Sequence, residues 1–235
     1  MSPLKNWDKN NWLSSSNFIN NFIKFILKQK RLNKNSKILD IGCGRGKIIG
    51  NLKKKLKLKN KPLGIDLVDH KDKHKRIRFI KIDAKKFFLQ NNDKFDLILI
   101  KQTIHMINLK EIKLLINNCK KNLKNNGKIL IFSLDPNNFE FPTFNLMKKK
   151  LLESFKNDQK IFNLLNRLSL SKKPKKFSYK VKILKKTYLR MIEQRFISTL
   201  LLFSKKDIDD GIKDIDTKFK KKIEFNDNLI CIIVK

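Results

Sequence analysis

Hydrophobic positions change period along the chain, and each change marks an element. Between residues 37 and 132 short apolar runs alternate with stretches of helical period, the pattern of βαβ units and a parallel sheet. Residues 37–41 are apolar and run into a glycine loop, so they read as a first strand, followed by a helix over 47–58. Residues 62–67 and 77–82 read as the second and third strands. The run FDLILI at 95–100 is the most continuous apolar stretch, as expected of a central strand covered on both faces. In 109–123, Ile112, Leu115, Ile116, Cys119 and Leu123 recur at helical spacing. Asn125-Asn126-Gly127 is expected to end that helix, with a strand resuming over 128–133.

Two regions flank this core. Ser14, Ser15 and Ser16 can cap a helix whose Phe18, Phe22, Ile23 and Ile26 share a face. Residues 136–176 hold two helical patterns, around 146–155 and 161–170, and end in a Lys-Pro tract. Residues 177–183 alternate as a half-exposed strand does. A helical block follows over 186–218, where Ser204 and Asp207 have capping-box spacing, and 229–234 is the last strand. The expected organisation is one domain over 1–235: an N-terminal helical segment (1–36), a core (37–133), a helical insertion (134–176) and C-terminal strands and helices (177–235).

At 235 residues with 40% hydrophobic content the chain can bury a substantial core. No window approaches 18 uninterrupted apolar residues, so no membrane-spanning helix is expected. The first residues, MSPLKNWDKNNW, do not resemble a secretory signal. Cys43, Cys119 and Cys231 are odd in number, far apart and in no CxxC pair, which points to a reducing, cytoplasmic setting and no structural zinc. The formal charge of +35 has two readings. Only seven of the basic residues are Arg, and Lys, Asn, Ile and Phe abound together, as A/T-rich codons would produce. A surface selected for a polyanion is the other reading, although nucleic-acid readers favour Arg for bidentate contacts.

Three of the chain's seven glycines fall in one nonapeptide, ILDIGCGRG at 38–46. A strand running into G-x-G-x-G and then a helix places a nucleotide-like ligand at the carboxyl edge of a parallel sheet. The dinucleotide fingerprint G-x-G-x-x-G is not completed, since Lys47 and Ile49 occupy the third positions, and no P-loop occurs. Asp40 precedes the first glycine, and a carboxylate repels phosphates but attracts ammonium and sulfonium groups.

At these residues the chain resembles class I S-adenosylmethionine-dependent methyltransferases, whose first motif has the form LDxGxGxG; Leu39 to Gly46 match it throughout. The resemblance implies a Rossmann-like α/β fold with a seven-stranded, mostly parallel sheet, an antiparallel last strand and helical cover insertions. It implies S-adenosylmethionine as cofactor. Asp40 would lie near its amino group, Gly42, Gly44 and Gly46 against its methionine and ribose parts, Asp66 on the ribose hydroxyls and Asp83 at the adenine amino group. Leu67, Ala84 and Lys101 belong to the same implied set. Taken singly, Asp66 or Asp83 is equally a helix cap, and Cys43 follows the motif's preference for a small residue.

The C-terminal half resembles, more loosely, the type 11 small-molecule methyltransferases, such as those like trans-aconitate methyltransferase. That likeness implies a substrate segment containing Arg195, Ser198 and Thr199, with Arg195 able to hold a carboxylate or simply lying on the surface. After the fourth strand the chain reads Ile100-Lys101-Gln102-Thr103-Ile104-His105-Met106. The [DN]PP[YF] signature of enzymes that methylate amino groups of nucleic-acid bases is missing there, as is the nucleophilic Cys of cytosine C5 enzymes. His105 can serve as a general base or pack over the cofactor. His70, Asp72 and His74 lie in a Lys-rich stretch with no evident second shell, and no metal site is expected. Trp7 and Trp12 could form a lid or anchor the N-terminus. The expected reaction is methyl transfer to oxygen or nitrogen of a small-molecule acceptor. The alternatives are an RNA methyltransferase that uses the lysine surface, or a non-catalytic cofactor-binding member of the fold.

Overall fold

The computed structural model describes residues 11–170 and 173–235; Trp7 lies outside them. Seven strands form one sheet: β1 (Ile38–Ile41), β2 (Leu63–Asp66), β3 (Arg78–Lys81), β4 (Phe95–Lys101), β5 (Leu123–Leu134), β6 (Lys175–Leu184) and β7 (Lys222–Val234). Their order is β3-β2-β1-β4-β5-β7-β6. Strands β1 to β5 pair in parallel, and β7 pairs antiparallel with β5, Leu130 opposite Ile233. The helices are α1 (Ser16–Gln29), α2 (Lys47–Leu56), α3 (Ala84–Gln90), α4 (Leu109–Lys121), α5 (Asn145–Leu168), α6 (Lys185–Glu193) and α7 (Lys205–Lys218). The fold is the expected Rossmann-like α/β arrangement. No described helix is long and apolar enough to cross a membrane.

The chain divides into two compact units. One comprises Ile19–Leu134, Lys160–Phe177 and Leu229–Lys235. Its centre is β4, where Leu97, Ile98, Leu99 and Ile100 are all fully buried, because a parallel strand flanked on both sides has no polar face. On one side Ile112, Leu115, Ile116 and Cys119 of α4 join the core. Phe22 of α1 packs on Phe132 and Phe177, with ring centroids 4.6 and 5.1 Å apart, so the hydrophobic face read along residues 18–26 is the buried one.

The other unit comprises residues up to Phe18, Asp135–Gln159 and Ser178–Asn228. It is knitted by aromatic residues. Trp12 donates its indole N–H to Asp227 Oδ2 at 2.8 Å and meets Phe225 edge-on at 5.2 Å. Tyr188 is fully buried and its hydroxyl donates to the carbonyl of Pro142 at 2.6 Å, the partner a buried phenol needs. Ser204 and Asp207 form the capping box at the start of α7.

Two local expectations are corrected. The helical patterns in 146–170 form one 24-residue helix, α5, because the intervening Lys156-Asn157-Asp158-Gln159-Lys160 contains no Gly or Pro to interrupt it. Asn125-Asn126-Gly127 does not cap α4. Asn122 does, with its backbone N–H on the carbonyls of the last turn and its Nδ2 donating to Asn118 O. The Asn-Asn-Gly triplet is an irregularity inside β5, where the register moves from Phe95↔Leu123 to Leu97↔Lys128. Gly127 is needed for close approach, since a Cβ there would stand 2.7 Å from the Phe95 carbonyl.

Truncating Ile98 to Ala in the middle of β4 is expected to cost about 2–5 kcal/mol of unfolding free energy, read by urea denaturation; a cost below about 1 kcal/mol contradicts a close-packed centre at β4.

Candidate functional site

The site forms where the parallel strands end, at the carboxyl edge of the first-described unit. The chain leaves β1 at Ile41 and reverses through Gly42, Gly44 and Gly46, whose φ values of 71°, 53° and 66° are all left-handed. Gly42 N and Cys43 N both donate to the Ile65 carbonyl on β2, at 2.9 and 3.1 Å. At Gly42 the requirement is double: a side chain would be strained at that φ, and its Cβ would lie 2.2 Å from Thr103 Oγ1. Gly46 begins α2 with no side-chain cap, so the positive end of the helix faces the same edge.

Asp66, at the end of β2, ties the loops together. Its Oδ2 accepts from Gly44 N at 2.7 Å and its Oδ1 from Val68 N at 2.9 Å. Leu67 follows it with its side chain mostly exposed. At the end of β3, Asp83 caps α3 by accepting from Lys85 N at 2.8 Å, and Ala84 is the helix's first residue. The helix-cap reading of Asp83 is therefore realised.

Asp40 differs from these. It is 4% exposed, and its Oδ1 is buried with no hydrogen-bond partner. Burial pushes its carboxyl up to about 8, Asp66's charge adds to that, and Lys101's ammonium opposes it. Lys101, at the end of β4, is itself buried, with its ammonium 5.7 Å from the Phe22 ring centre. An unmet buried acceptor costs roughly 1–3 kcal/mol. A ligand that presents an N–H or ammonium group would satisfy it, which is the chemistry an amino-acid end of a cofactor offers.

Around this centre the structure adds what the sequence pattern missed. Gln102 follows Lys101 in a left-handed conformation, φ 51°, which a non-glycine residue adopts only under local constraint. Thr103 fills the space Gly42 leaves and donates its hydroxyl to the Lys101 carbonyl at 3.1 Å. His105 sits in a short 3₁₀ turn over Ile104–Met106, where burial lowers it below the ordinary histidine value, so it is neutral at pH 7. Arg45 within the glycine loop is 4% exposed, and its Nε donates to both carboxylate oxygens of Asp72 at 2.8 and 2.7 Å. His74 N donates to the Arg45 carbonyl at 2.9 Å, so the β2–β3 loop is latched to the glycine loop. Neither the Arg45–Asp72 latch nor the Gln102 strain has a local signal in the sequence, since both depend on how separate loops pack.

Asp72 and His74 are placed by these contacts, His70 is buried, and no group able to hold a metal occurs among the described residues. Cys43 faces Gly64, where a Cβ would stand 2.6 Å from its sulfur, and burial first, then the charges of Asp40 and Asp66, push its thiol up. Its neutral thiol form is thereby favoured. Arg195, Ser198 and Thr199 belong to the other unit. Arg195 sits at the end of α6 with φ 54°, in a turn closed by Arg195 N to Ile192 O and Phe196 N to Met191 O, the Schellman arrangement. Its guanidinium donates to the Leu200 carbonyl. Thr199 is buried and Ser198 partly so.

Residues 38–127 match the family model described as a methyltransferase domain. No curated protein matches the chain. Among solved structures, a putative methyltransferase from an antibiotic biosynthesis pathway of Anabaena variabilis is similar at TM-score 0.60 and 15% identity, over 90% of this chain and 96% of that one. A methyltransferase from Geobacter sulfurreducens in complex with S-adenosylhomocysteine is similar at 0.53 and 12%, over 99% and 96%. The plantazolicin methyltransferase BamL, in complex with a desmethyl-plantazolicin analogue and S-adenosylhomocysteine, is similar at 0.50 and 15%, over 97% and 88%. The fold is thus that of S-adenosylmethionine-dependent methyltransferases.

Replacing Gly42 by Ala should destabilise the chain by about 2 kcal/mol or more, from left-handed strain and the Thr103 clash together. Adding Thr103→Ala should recover only part of the loss, because the backbone strain of about 1 kcal/mol remains; a double mutant no better than Gly42→Ala contradicts the contact.

Proposed function

We propose that the chain is an S-adenosylmethionine-dependent methyltransferase that acts on oxygen or nitrogen of a small-molecule acceptor. The observation that carries this reading is the buried Asp40 carboxyl group, whose Oδ1 has no hydrogen-bond partner, next to three left-handed glycines. The methyltransferase domain match over 38–127 supports it. So do the relatives in fold, two of which were crystallised with S-adenosylhomocysteine. In this reading Asp40 takes the cofactor's amino group, with Lys101 beside it. Gly42, Gly44 and Gly46 let the backbone approach the methionine and ribose portions. Asp66 has lone pairs left for the ribose hydroxyls after its two backbone bonds. Leu67, Asp83 and Ala84 border the adenine.

The donor carries its methyl on a sulfonium: as an acceptor lone pair bonds to that carbon, the carbon–sulfur pair stays on sulfur. Alignment supplies much of the rate. Neutral His105 is suited to take the proton of a hydroxyl acceptor, and a carboxylate acceptor requires no base. The small-molecule, type 11 reading rests on the missing [DN]PP[YF] signature and on three buried cysteines with raised thiols, which leave no thiolate for cytosine C5 chemistry.

Thermal melting with S-adenosylhomocysteine tests the reading first. At 100 times its dissociation constant the ligand should add roughly 2.7 kcal/mol of stability, and Asp66→Ala should remove most of the shift. Transfer of a labelled methyl group to small acids, alcohols and amines then identifies the acceptor; no melting shift in folded parent protein contradicts the proposal.

Asp40 adds a pH signature. In the free protein it holds a proton at pH 7, and a bound ammonium group favours the carboxylate. Cofactor binding should therefore release a proton and tighten as pH rises toward about 8. Calorimetry in buffers of different ionisation enthalpy reads that proton directly. Because the unfolded carboxyl titrates at 3.8, the same shift makes fold stability fall between about pH 4 and 8. Asp40→Asn should flatten that fall and abolish the pH dependence of binding.

A further inference from the structure

The opposite, amino edge of the parallel sheet has a charge pattern that the methyl-transfer reading does not use. Each of the five parallel strands carries a basic residue where it begins. Arg78 opens β3, Lys61 and Lys37 stand just before β2 and β1, Lys94 immediately precedes β4, and Lys124 is the second residue of β5. Neighbouring strands lie about 4.8 Å apart, so the row spans about 19 Å. The connectors that bear it are bonded to one another: Lys59 N to Lys34 O at 2.7 Å, Arg78 N to Pro62 O at 2.9 Å, Asp96 N to Lys37 O at 2.8 Å.

Acids are segregated as strictly as bases are abundant. Of the eight acids in this unit, Asp40, Asp66, Asp69, Asp72, Asp83 and Glu111 belong to the carboxyl edge and only Asp93 and Asp96 to the amino edge. Residues 28–37, 53–61, 91–96 and 120–128 carry sixteen Lys and Arg against those two acids. Codon bias can enrich lysine everywhere, but it does not sort acids to one edge. The two acids engage Lys37 at 3.5 Å in an exposed pair and Lys124 at 2.7 Å in a part-buried one.

Between β3, β2 and β1 this edge is concave. A cleft of about 540 Å³ is walled by three bases, Lys37, Lys61 and Arg78, and one acid, Asp93, over a floor of Pro62, Leu63 and Phe95. A row of cations along a groove fits a string of phosphates better than a single anion. None of the large apolar side chains that the described residues expose lies in the four connectors, so nothing there would insert into a lipid surface. The one ring in the cleft, Phe95, is buried, leaving no platform for base stacking.

We propose that this edge, centred on the cleft of Lys37, Lys61 and Arg78, is a docking track for the phosphate backbone of single-stranded nucleic acid, read without base preference. The proposal stands independently of the cofactor reading. It is tested with fluorescent 12-mers of oligo-uridine and oligo-thymidine, by anisotropy between 50 and 200 mM salt.

Three to five phosphate contacts predict a slope of log K against log salt of about −2 to −3.5, alike for oligo-uridine and oligo-thymidine, since only the backbone is contacted. Lys37→Gln/Lys61→Gln/Arg78→Gln should weaken binding at least tenfold at 50 mM and flatten the slope by about 2. Lys37→Arg/Lys61→Arg should retain it, and Lys148→Gln/Lys149→Gln/Lys156→Gln on α5 should change it less than threefold. No binding, or equal losses in the two glutamine triples, would overturn the proposal. So would tighter binding to phosphatidylserine vesicles than to either oligomer with the same dependence on the edge triple.

Discussion

The site depends on one unmet interaction, the buried Oδ1 of Asp40. A buried carboxyl oxygen with no protein donor is costly, and the fold tolerates it because everything around it is over-determined. β1 is fully buried between β2 and β4. The loop above is fixed by two N–H groups on the Ile65 carbonyl, by Gly44 on Asp66 and by the Arg45–Asp72 latch. An acceptor held that firmly selects a ligand by charge. It disfavours a phosphate and favours an ammonium group, which separates this loop from glycine loops that cradle pyrophosphate.

The sheet then distributes chemistry by strand direction. Because β1 to β5 run parallel, their carboxyl ends and the loops that follow share one edge. Asp40, Asp66, Asp83, Lys101 and His105 lie on or just after four different strands and so belong to that edge, with no single segment holding them all. The same geometry gathers the connectors that precede each strand on the other edge. One topological fact thus places six of the unit's eight acids at the carboxyl edge and leaves two at the amino edge.

Much of this was legible in the sequence. The glycine spacing, the three acids at strand ends and the apolar run at 95–100 have short-range causes, left-handed turns and two-faced burial, that a sequence displays directly. The merging of two helical patterns into α5 was less visible because the polar link between them carries no breaker, only an absence of one. The Asn-Asn-Gly triplet misled because the same residues that end helices also form bulges, and only the register of β4 against β5 decides between them. The latch of Arg45 to Asp72, the left-handed Gln102 and the Thr103 contact arise from tertiary packing between loops distant in sequence, which no periodicity records.

If the loops after β1, β2 and β3 hold S-adenosylmethionine as proposed, hydrogen exchange with and without S-adenosylhomocysteine will show it. Amide exchange should slow at 40–46, 64–68 and 83–85, with the amides of β6 and α7 unchanged. Saturating ligand that leaves the glycine loop's exchange unaltered, or that protects only residues elsewhere, would contradict it.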